Sequence, residues 1–456
     1  MLDDAMSALQ EIFSLLSVAD PYRAAPAGLR ELQLEALRER FAEKRLQISI
    51  LARRAKETGV DEIRSLNDVV PLLFTHTNYK SYPESFVDKG QWANMNLWLQ
   101  TLSSQPVRNV RMDGVRDADD WLDRLAVAGH HLFASSGTSG KCSFLNQTTE
   151  DLEVADRAYQ LSFDAQNQTF RAANDRPVFV FFPEHGVHRL CSPNAHFWHR
   201  VAAPGQLHFL STEPLRATPG IRAGQLRRAI AAGTALPDEI AAFEADNRTR
   251  QRLMSAAMDD MIDRIYALRH ERMVFGVMWP AAYQLVQGLR QRGVKDGEFH
   301  PETVLFLGGG IKGVKLPDDF REQIRGFFGV SPLNYSNSYA MVEMTGLNPF
   351  IHHRQAYAMA PWIVPLILDK SGEKLLDPQA TGGVVEGRMA LFDLLTDARW
   401  GGLISGDRVE VDFRPTGEFS GPMVRSITRY AELEEGEDKL TCAGTIDSYV
   451  RGSIAA

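Results

Sequence analysis

The sequence predicts an α/β fold in which helix-covered, mostly parallel sheets are followed by a smaller β-rich unit. Two observations carry this. From about residue 129, short apolar runs bounded by Gly or Pro alternate with helical stretches. From about residue 362, strand-like runs broken by Gly, Pro and Asp take over. Short apolar runs that alternate with helices fit strands buried on both faces of a parallel sheet.

The first 128 residues read as mostly helical. Leu29, Leu32, Leu37, Phe41, Ile48, Leu51 and Ala55 recur at three- and four-residue steps between charged residues, which gives one apolar helix face. Gly59 would end that helix. A second helical patch, 63–70, stops at Pro71. Strands are predicted at 131–134, at 178–182 before Pro183, at 273–278 before Pro280, and at 303–307, which runs into Gly308-Gly309-Gly310. Helical patterns lie near 149–168, 221–268 and 281–292. The stretch 214–249, rich in Arg, Ala and acidic residues, reads as a mobile surface helix or loop. Strands follow at 363–368, 384–391 and 409–413. The expected division is an N-terminal helical region (1–128) packing on the first α/β subdomain, a nucleotide- and acyl-binding α/β core (129–361), and a β-rich unit (362–456).

The 456 residues exceed one simple core. With 50 basic and 58 acidic side chains the net charge is −8. No basic run speaks for nucleic acid, so an anionic substrate would need local cations or backbone N–H donors. Cys142, Cys191 and Cys442 form no CxxC pair, which argues against a disulfide framework and for a reducing, cytoplasmic setting. The opening MLDDAMSALQ has no basic n-region, and no apolar run approaches the ~18 residues of a membrane span. No membrane partner is expected.

Four segments carry candidate chemistry. In Ser135-Ser136-Gly137-Thr138-Ser139-Gly140-Lys141, small residues would let backbone N–H groups converge on a phosphate, hydroxyls would add donors, and Lys141 would add charge. The segment is read as following a strand and preceding a helix whose start is capped by Thr148 and Asp151. The plainer reading is a polar surface turn. In Ser338-Tyr339-Ala340-Met341-Val342-Glu343, the Glu343 carboxylate is placed to hold Mg²⁺ against phosphates, or is simply a solvated Glu. In Gly406-Asp407-Arg408, Asp407 at a strand end could accept both ribose hydroxyls, or is a turn Asp. Gly308-Gly309-Gly310 could let a flat adenine approach bare backbone, or is a tight turn.

Taken in order, these segments resemble the adenylate-forming superfamily of acyl-CoA synthetases, luciferase-type enzymes and nonribosomal adenylation domains. Ser135–Lys141 is similar to its phosphate loop, usually SSGTTGKP. Tyr339–Glu343 is similar to YGxTE, Gly406-Asp407 to TGD, and 444–452 to the hinge GRxDDxIKxxG. Residues 63–68 with 71–75 resemble the entry of phenylacetate–CoA ligases, a layout shared with bacterial acyl-protein synthetases. The resemblance implies two packed α/β subdomains and a barrel-like β-rich one. It implies a ligase that uses ATP and Mg²⁺ to turn a carboxylic acid into an acyl-adenylate, then passes it to CoA, a carrier-protein thiol or another acceptor. Lys141, Thr138 and Glu343 would be catalytic. Ser135, Ser136, Gly137, Ser139, Gly140, Gly308–Gly310, Ser338, Ala340 and Met341 would bind nucleotide. Asp407 would anchor the ribose and Tyr339 would stack near the adenine. Phe182, His185 and Gly186 would border an acyl pocket suited to an aromatic or apolar acid.

The departures are specific. Ala340 and Val342 replace the Gly and Thr of the tyrosine motif, Thr445 replaces the hinge Arg, and Cys142 replaces the Pro after the loop Lys. The chain ends at Ala456, just past the hinge-like segment, so the family's small C-terminal domain is expected to be missing. A weakened relative that binds nucleotide or acyl ligand as a regulatory or scaffold partner is the alternative, and an oligomer is open. His185, His188, Cys191, His196 and His199 cluster in sequence, but scattered loop histidines are expected over a Zn²⁺ site. Cys142 reads as a small filler before a nucleophile.

Overall fold

The computed structural model describes residues 6–75, 77–134, 141–166, 174–188, 191, 196–309 and 315–430. Strand β1 (Phe74–Thr75) is followed by a hairpin, β2 (His131–Ala134) against β3 (Phe144–Gln147). Then come β4 (Arg176–Pro183), β5 (Ala202–Ser211), β6 (Val274–Met278), β7 (Val304–Gly308) and β8 (Tyr335–Ser336). These five form a parallel sheet in the order β5-β4-β6-β7-β8. The remaining strands are β9 (Ser338–Tyr339), β10 (Asn348–Ile351), β11 (Ala356–Ala358), β12 (Ile363–Leu368), β13 (Val384–Asp393), β14 (Gly402–Asp412) and β15 (Met423–Arg429). They form an antiparallel sheet in the order β12-β13-β14-β15-β11-β10-β9, with β1 added in parallel beside the start of β14. The fold is mixed α/β. The parallel strands make one sheet, and the second large sheet is antiparallel.

Both faces of the parallel sheet are covered, which is why β4 and β6 read as unbroken apolar runs. Phe179, Phe275 and Leu305 pack under the helices Trp279–Gln291 and Phe320–Phe328. Val178, Val180 and Val274 pack on Tyr159, Phe163 and Trp198. Gly276 in β6 has a packing reason: a Cβ there would sit 2.7 Å from the Trp198 ring.

The N-terminal helices pack on the antiparallel sheet and the hairpin. Gln33 Nε2 donates to the Pro361 carbonyl at 2.8 Å, Arg40 Nε to that of Leu394 at 3.1 Å, and Phe41 meets Trp400 edge-on at 6.1 Å. One core runs from Ile12 to Val424 and crosses both expected boundaries, 129 and 362. The antiparallel sheet also recruits β9–β11, ahead of residue 362.

Local differences have local causes. The 29–58 pattern is two helices, Leu29–Gln47 and Ser49–Thr58, because Ile48 is extended; Gly59, at φ +70°, ends the second. The patch before Pro71 is a 3-10 helix, Leu66–Leu72, with Pro71 inside it. Its Asp68 carboxylate accepts from the N–H groups of Arg64 and Ser65. The stretch 214–249 holds the helix Thr218–Ala231 and the start of the helix Pro237–Leu268. Among the described residues no helix is long and apolar enough to cross a membrane.

Candidate active site

Ser135–Gly140 and Gly310 lie outside the described residues, as does the hinge-like segment 444–452. The frame of the Ser/Gly loop is described. Ala134 pairs with Phe144, so a strand and not a helix follows the loop, which closes a hairpin. The sequence hid β3 because all four of its residues are buried, Asn146 and Gln147 included, and no alternation shows. The capping box is formed: Thr148 N donates to Asp151 Oδ2 at 2.9 Å and Asp151 N to Thr148 Oγ1 at 3.0 Å. Lys141 Nζ donates to the Tyr82 carbonyl and lies 4.4 Å from that ring's centre. Tyr82 Oη in turn donates to the Cys142 carbonyl. Cys142 is buried, and burial pushes its thiol up to about 11. At neutral pH it is a thiol that fills space.

Gly308 and Gly309 stand at the C-terminal end of β7. The register Phe306↔Ser336 sets them beside the chain leading into β9, which is where open α/β sheets bind ligands. A Cβ on Gly308 would meet nothing within 4 Å; on Gly309, at φ +74°, it would fall 2.4 Å from Met278 Cε.

Tyr339 follows in β9, where the chain has left the parallel sheet for the antiparallel one. Its hydroxyl donates to Asp407 Oδ2 at 2.9 Å, linking β9 to β14. The phenol is held far above its ordinary pKa, by burial first and then by the Asp407 charge. Its ring is buried, so Tyr339 orients Asp407 and offers no open face for stacking. Asp407 N donates to Ser405 Oγ at 3.1 Å, and Arg429 Nε lies 3.9 Å from Asp407 Oδ1. Ser338 and Met341 are half-buried and Ala340 is exposed.

Glu343 is half-buried, and its backbone is held by a residue that sequence reasoning missed. Arg399, buried, donates from Nη2 to the Glu343 carbonyl at 3.0 Å and from Nη1 to the Asn146 carbonyl of β3 at 3.2 Å. It therefore bridges the hairpin that carries the Ser/Gly loop to the Glu343 turn. Asp393, buried as well, feels the Arg399 charge. It accepts from Thr345 N at 2.6 Å and Leu395 N at 3.0 Å, and burial pushes its carboxyl up against the pull of Thr345 and Arg399. Tyr79 is pushed up to about 12 by burial, with Arg399 opposing. The turn before Arg399 is clamped as well. Asp151 accepts from Asp397 N at 2.7 Å and Ala398 N at 3.0 Å, and Asp397 Oδ1 is 2.7 Å from both Arg40 Nη1 and Lys44 Nζ. The available signal was charge inside the apolar run 390–404, since buried ions must be paired.

Residues 185–187 lie against the same hairpin. Leu215 N donates to the His185 carbonyl at 2.9 Å, Val187 N to that of Leu215 at 3.1 Å, and Ala134 N to that of Val187 at 2.8 Å. Gly186 has φ +144°, and a Cβ there would overlap Leu215 at 2.6 Å. The Phe182 ring stacks on His188, centroids 6.0 Å apart. Among the described residues no three His, Cys, Asp or Glu side chains converge on a metal site, and burial pushes the Cys191 thiol up to about 11.

Of the groups expected to hold a magnesium nucleotide, Glu343 and Gly308 are among the described residues. A half-buried carboxylate is the hard oxygen ligand Mg²⁺ takes alongside phosphate, and the space at Gly308 admits a flat group against backbone.

No family model and no curated protein matches the chain. Among solved structures, an o-succinylbenzoate CoA synthetase from Bacillus subtilis is 13% identical over 67% of this chain and 52% of its own, at TM-score 0.35. A long-chain-fatty-acid-CoA ligase from Archaeoglobus fulgidus is 11% identical over 67% and 52%, at 0.37. An acyl acid amido synthetase in complex with 2,4-DB is 11% identical over 91% and 69%, at 0.46. The chain thus spans about half the length of the first two.

Proposed function

We propose that this chain activates a carboxylic acid with ATP, forming an acyl-adenylate. Two links carry the reading: Tyr339 bonded to Asp407 across the antiparallel sheet, and Arg399 tying the Ser/Gly hairpin to Glu343. These links tie the hairpin, the 338–343 segment and Asp407 to one another, and a single nucleotide would need such neighbours.

In this reading a carboxylate oxygen attacks the α-phosphorus, a new P–O bond forms, and pyrophosphate leaves. Asp407, oriented by Tyr339, accepts ribose hydroxyls. Gly308 and Gly309 give the adenine a flat approach. Donors of Ser135–Gly140, with Thr138 and Lys141, meet the phosphates, and Glu343 would hold the Mg²⁺ that neutralises their charge. Positioning and electrostatics supply most of the acceleration in such transfers. Phe182, His185 and Gly186 border the acid, which is aromatic or apolar, as in phenylacetate–CoA ligases. The acyl group then passes to CoA or another thiol or amine.

The test is acid-dependent exchange of labelled pyrophosphate into ATP across a panel of aryl and alkyl acids. Exchange that Asp407→Ala and Glu343→Gln each lower at least about a hundredfold supports the reading. ATP binding with no exchange for any acid would replace it with the weakened, ligand-binding relative that Val342 suggests.

A further inference from the structure

The helix Pro237–Leu268 is only half used by its own fold. Its C-terminal part buries Met258, Met261, Ile262 and Ile265 in the parallel-sheet core. Its first 21 residues contain no buried side chain. Yet apolar residues continue on one face through them: Ile240 and Phe243 are half-buried, Arg250 lies over the Phe243 ring, and Met254 is 47% exposed, with the polar Asn247 between. The helix Thr218–Ala231 runs beside this stretch and leaves an open groove of about 520 Å³, lined by Leu226 and Ile230 on one side and Ile240 and Phe243 on the other. Ile230 is 52% exposed. A stripe that is core at one end and bare at the other lacks a partner.

The charges along this stretch say which partner. Positions 238–246 carry Asp238, Glu239, Glu244 and Asp246 and no basic residue; positions 248–252 carry Arg248, Arg250 and Arg252 and no acidic one. A polyanion would be repelled by the first half and a polycation by the second. A second copy of the helix, laid antiparallel with its twofold axis at Asn247, satisfies both halves. Glu244 then comes nearest Arg250 and Ile240 faces Met254, each contact occurring twice. This self-complementary pattern is what an isologous twofold interface requires. Glu244 and Arg248 now form only an exposed pair at 3.6 Å, and Arg250 Nη2 bonds Asn247 Oδ1 at 2.7 Å. Such contacts hold little free energy and can be exchanged.

We propose that the paired helices 218–231 and 237–257 are a dimerisation arm. Each copy's long helix enters the other's groove, and the four helices close a bundle over the bare apolar stripe. The groove supplies affinity and the charge order sets register and excludes other partners.

Sedimentation equilibrium of the full chain tests this. The wild type dimerises in the micromolar range. Glu244→Arg sets like charges opposite each other twice and weakens the dimer at least about tenfold. Glu244→Arg/Arg250→Glu restores opposite charges and recovers it. Met254→Asp abolishes it, while helical circular dichroism stays unchanged because every substitution is on an exposed helix. A wild type that stays monomeric through that range overturns the proposal. So does a dimer indifferent to Glu244→Arg, or a double reversal as weak as the single one.

Discussion

The two sheets solve burial differently. The parallel sheet is packed with Phe179, Phe275, Phe299, Phe327 and Phe328, and among the described residues around it Arg176, at the start of β4, is the only buried ion. The antiparallel sheet, with the hairpin and N-terminal helices, buries Arg40, Lys44, Asp151, Arg388, Asp393 and Arg399. One core is held by packing, which has no direction. The other adds to its apolar packing charged hydrogen bonds, which fix atoms in particular places. The proposed site would draw on both, with bare backbone from the first and placed carboxylates from the second. A site needs both, since a ligand cannot enter a filled core and charge cannot be aimed by packing alone.

The largest effect should come from Arg399→Met, which leaves the Asn146 and Glu343 carbonyls without their donor and removes the charge that draws the buried Asp393 carboxyl down. A loss of about 3–5 kcal/mol is expected in urea unfolding at neutral pH. The Asp393 carboxyl already lies above its unfolded value of 3.8 and would rise further in the variant. Its ionisation therefore costs stability as pH rises through the folded pKa. The deficit should shrink toward acid pH, where Asp393 is protonated in both states. A deficit flat with pH would show that Arg399 acts through packing.

Leu305→Ala, in the parallel core, should cost about 3 kcal/mol. That loss should be indifferent to pH and salt. Ionic-strength dependence comparable with that of Arg399→Met would erase the distinction drawn here.

Tyr339→Phe sits on the seam. Loss of the hydroxyl that bonds Asp407 should cost about 1–2 kcal/mol of stability. It should also raise the KM for ATP by about tenfold in pyrophosphate exchange, with a smaller change in kcat. A change in kcat alone would mean that Asp407 does not depend on Tyr339 for its orientation.

The smallest effect is expected at Asp412, at the end of β14. Its bonds to Arg414, with Arg425 nearby, hold its carboxyl down to about 2. A depressed carboxyl stabilises above the unfolded pKa of 3.8 and loses that contribution as pH falls through about 2. Solvent screens the pair, so Asp412→Asn should cost less than about 1 kcal/mol near pH 6 and nothing at the acid end. A constant cost across this range would assign the loss to local geometry.

The residues themselves disclosed a good deal. Strands β2, β4, β6 and β7 were legible because an apolar run between Gly and Pro has few other uses. The Thr148–Asp151 cap was legible because it closes within four residues. Strand β3 was not, because its polar residues are satisfied by partners distant in sequence. Nor was the break at Ile48, which a helical period runs straight across.

The same boundary divides the site. Ser135–Lys141, Glu343 and Asp407 were singled out by residue type and local pattern, properties each segment holds alone. That Tyr339 would reach Asp407 across 68 residues, or that Arg399 would join Asn146 to Glu343 across 253 and 56, is written in no local pattern. Local propensity depends on neighbours in the chain. A buried ion is tolerable only where the whole fold delivers its partners, and that choice belonged to the tertiary structure.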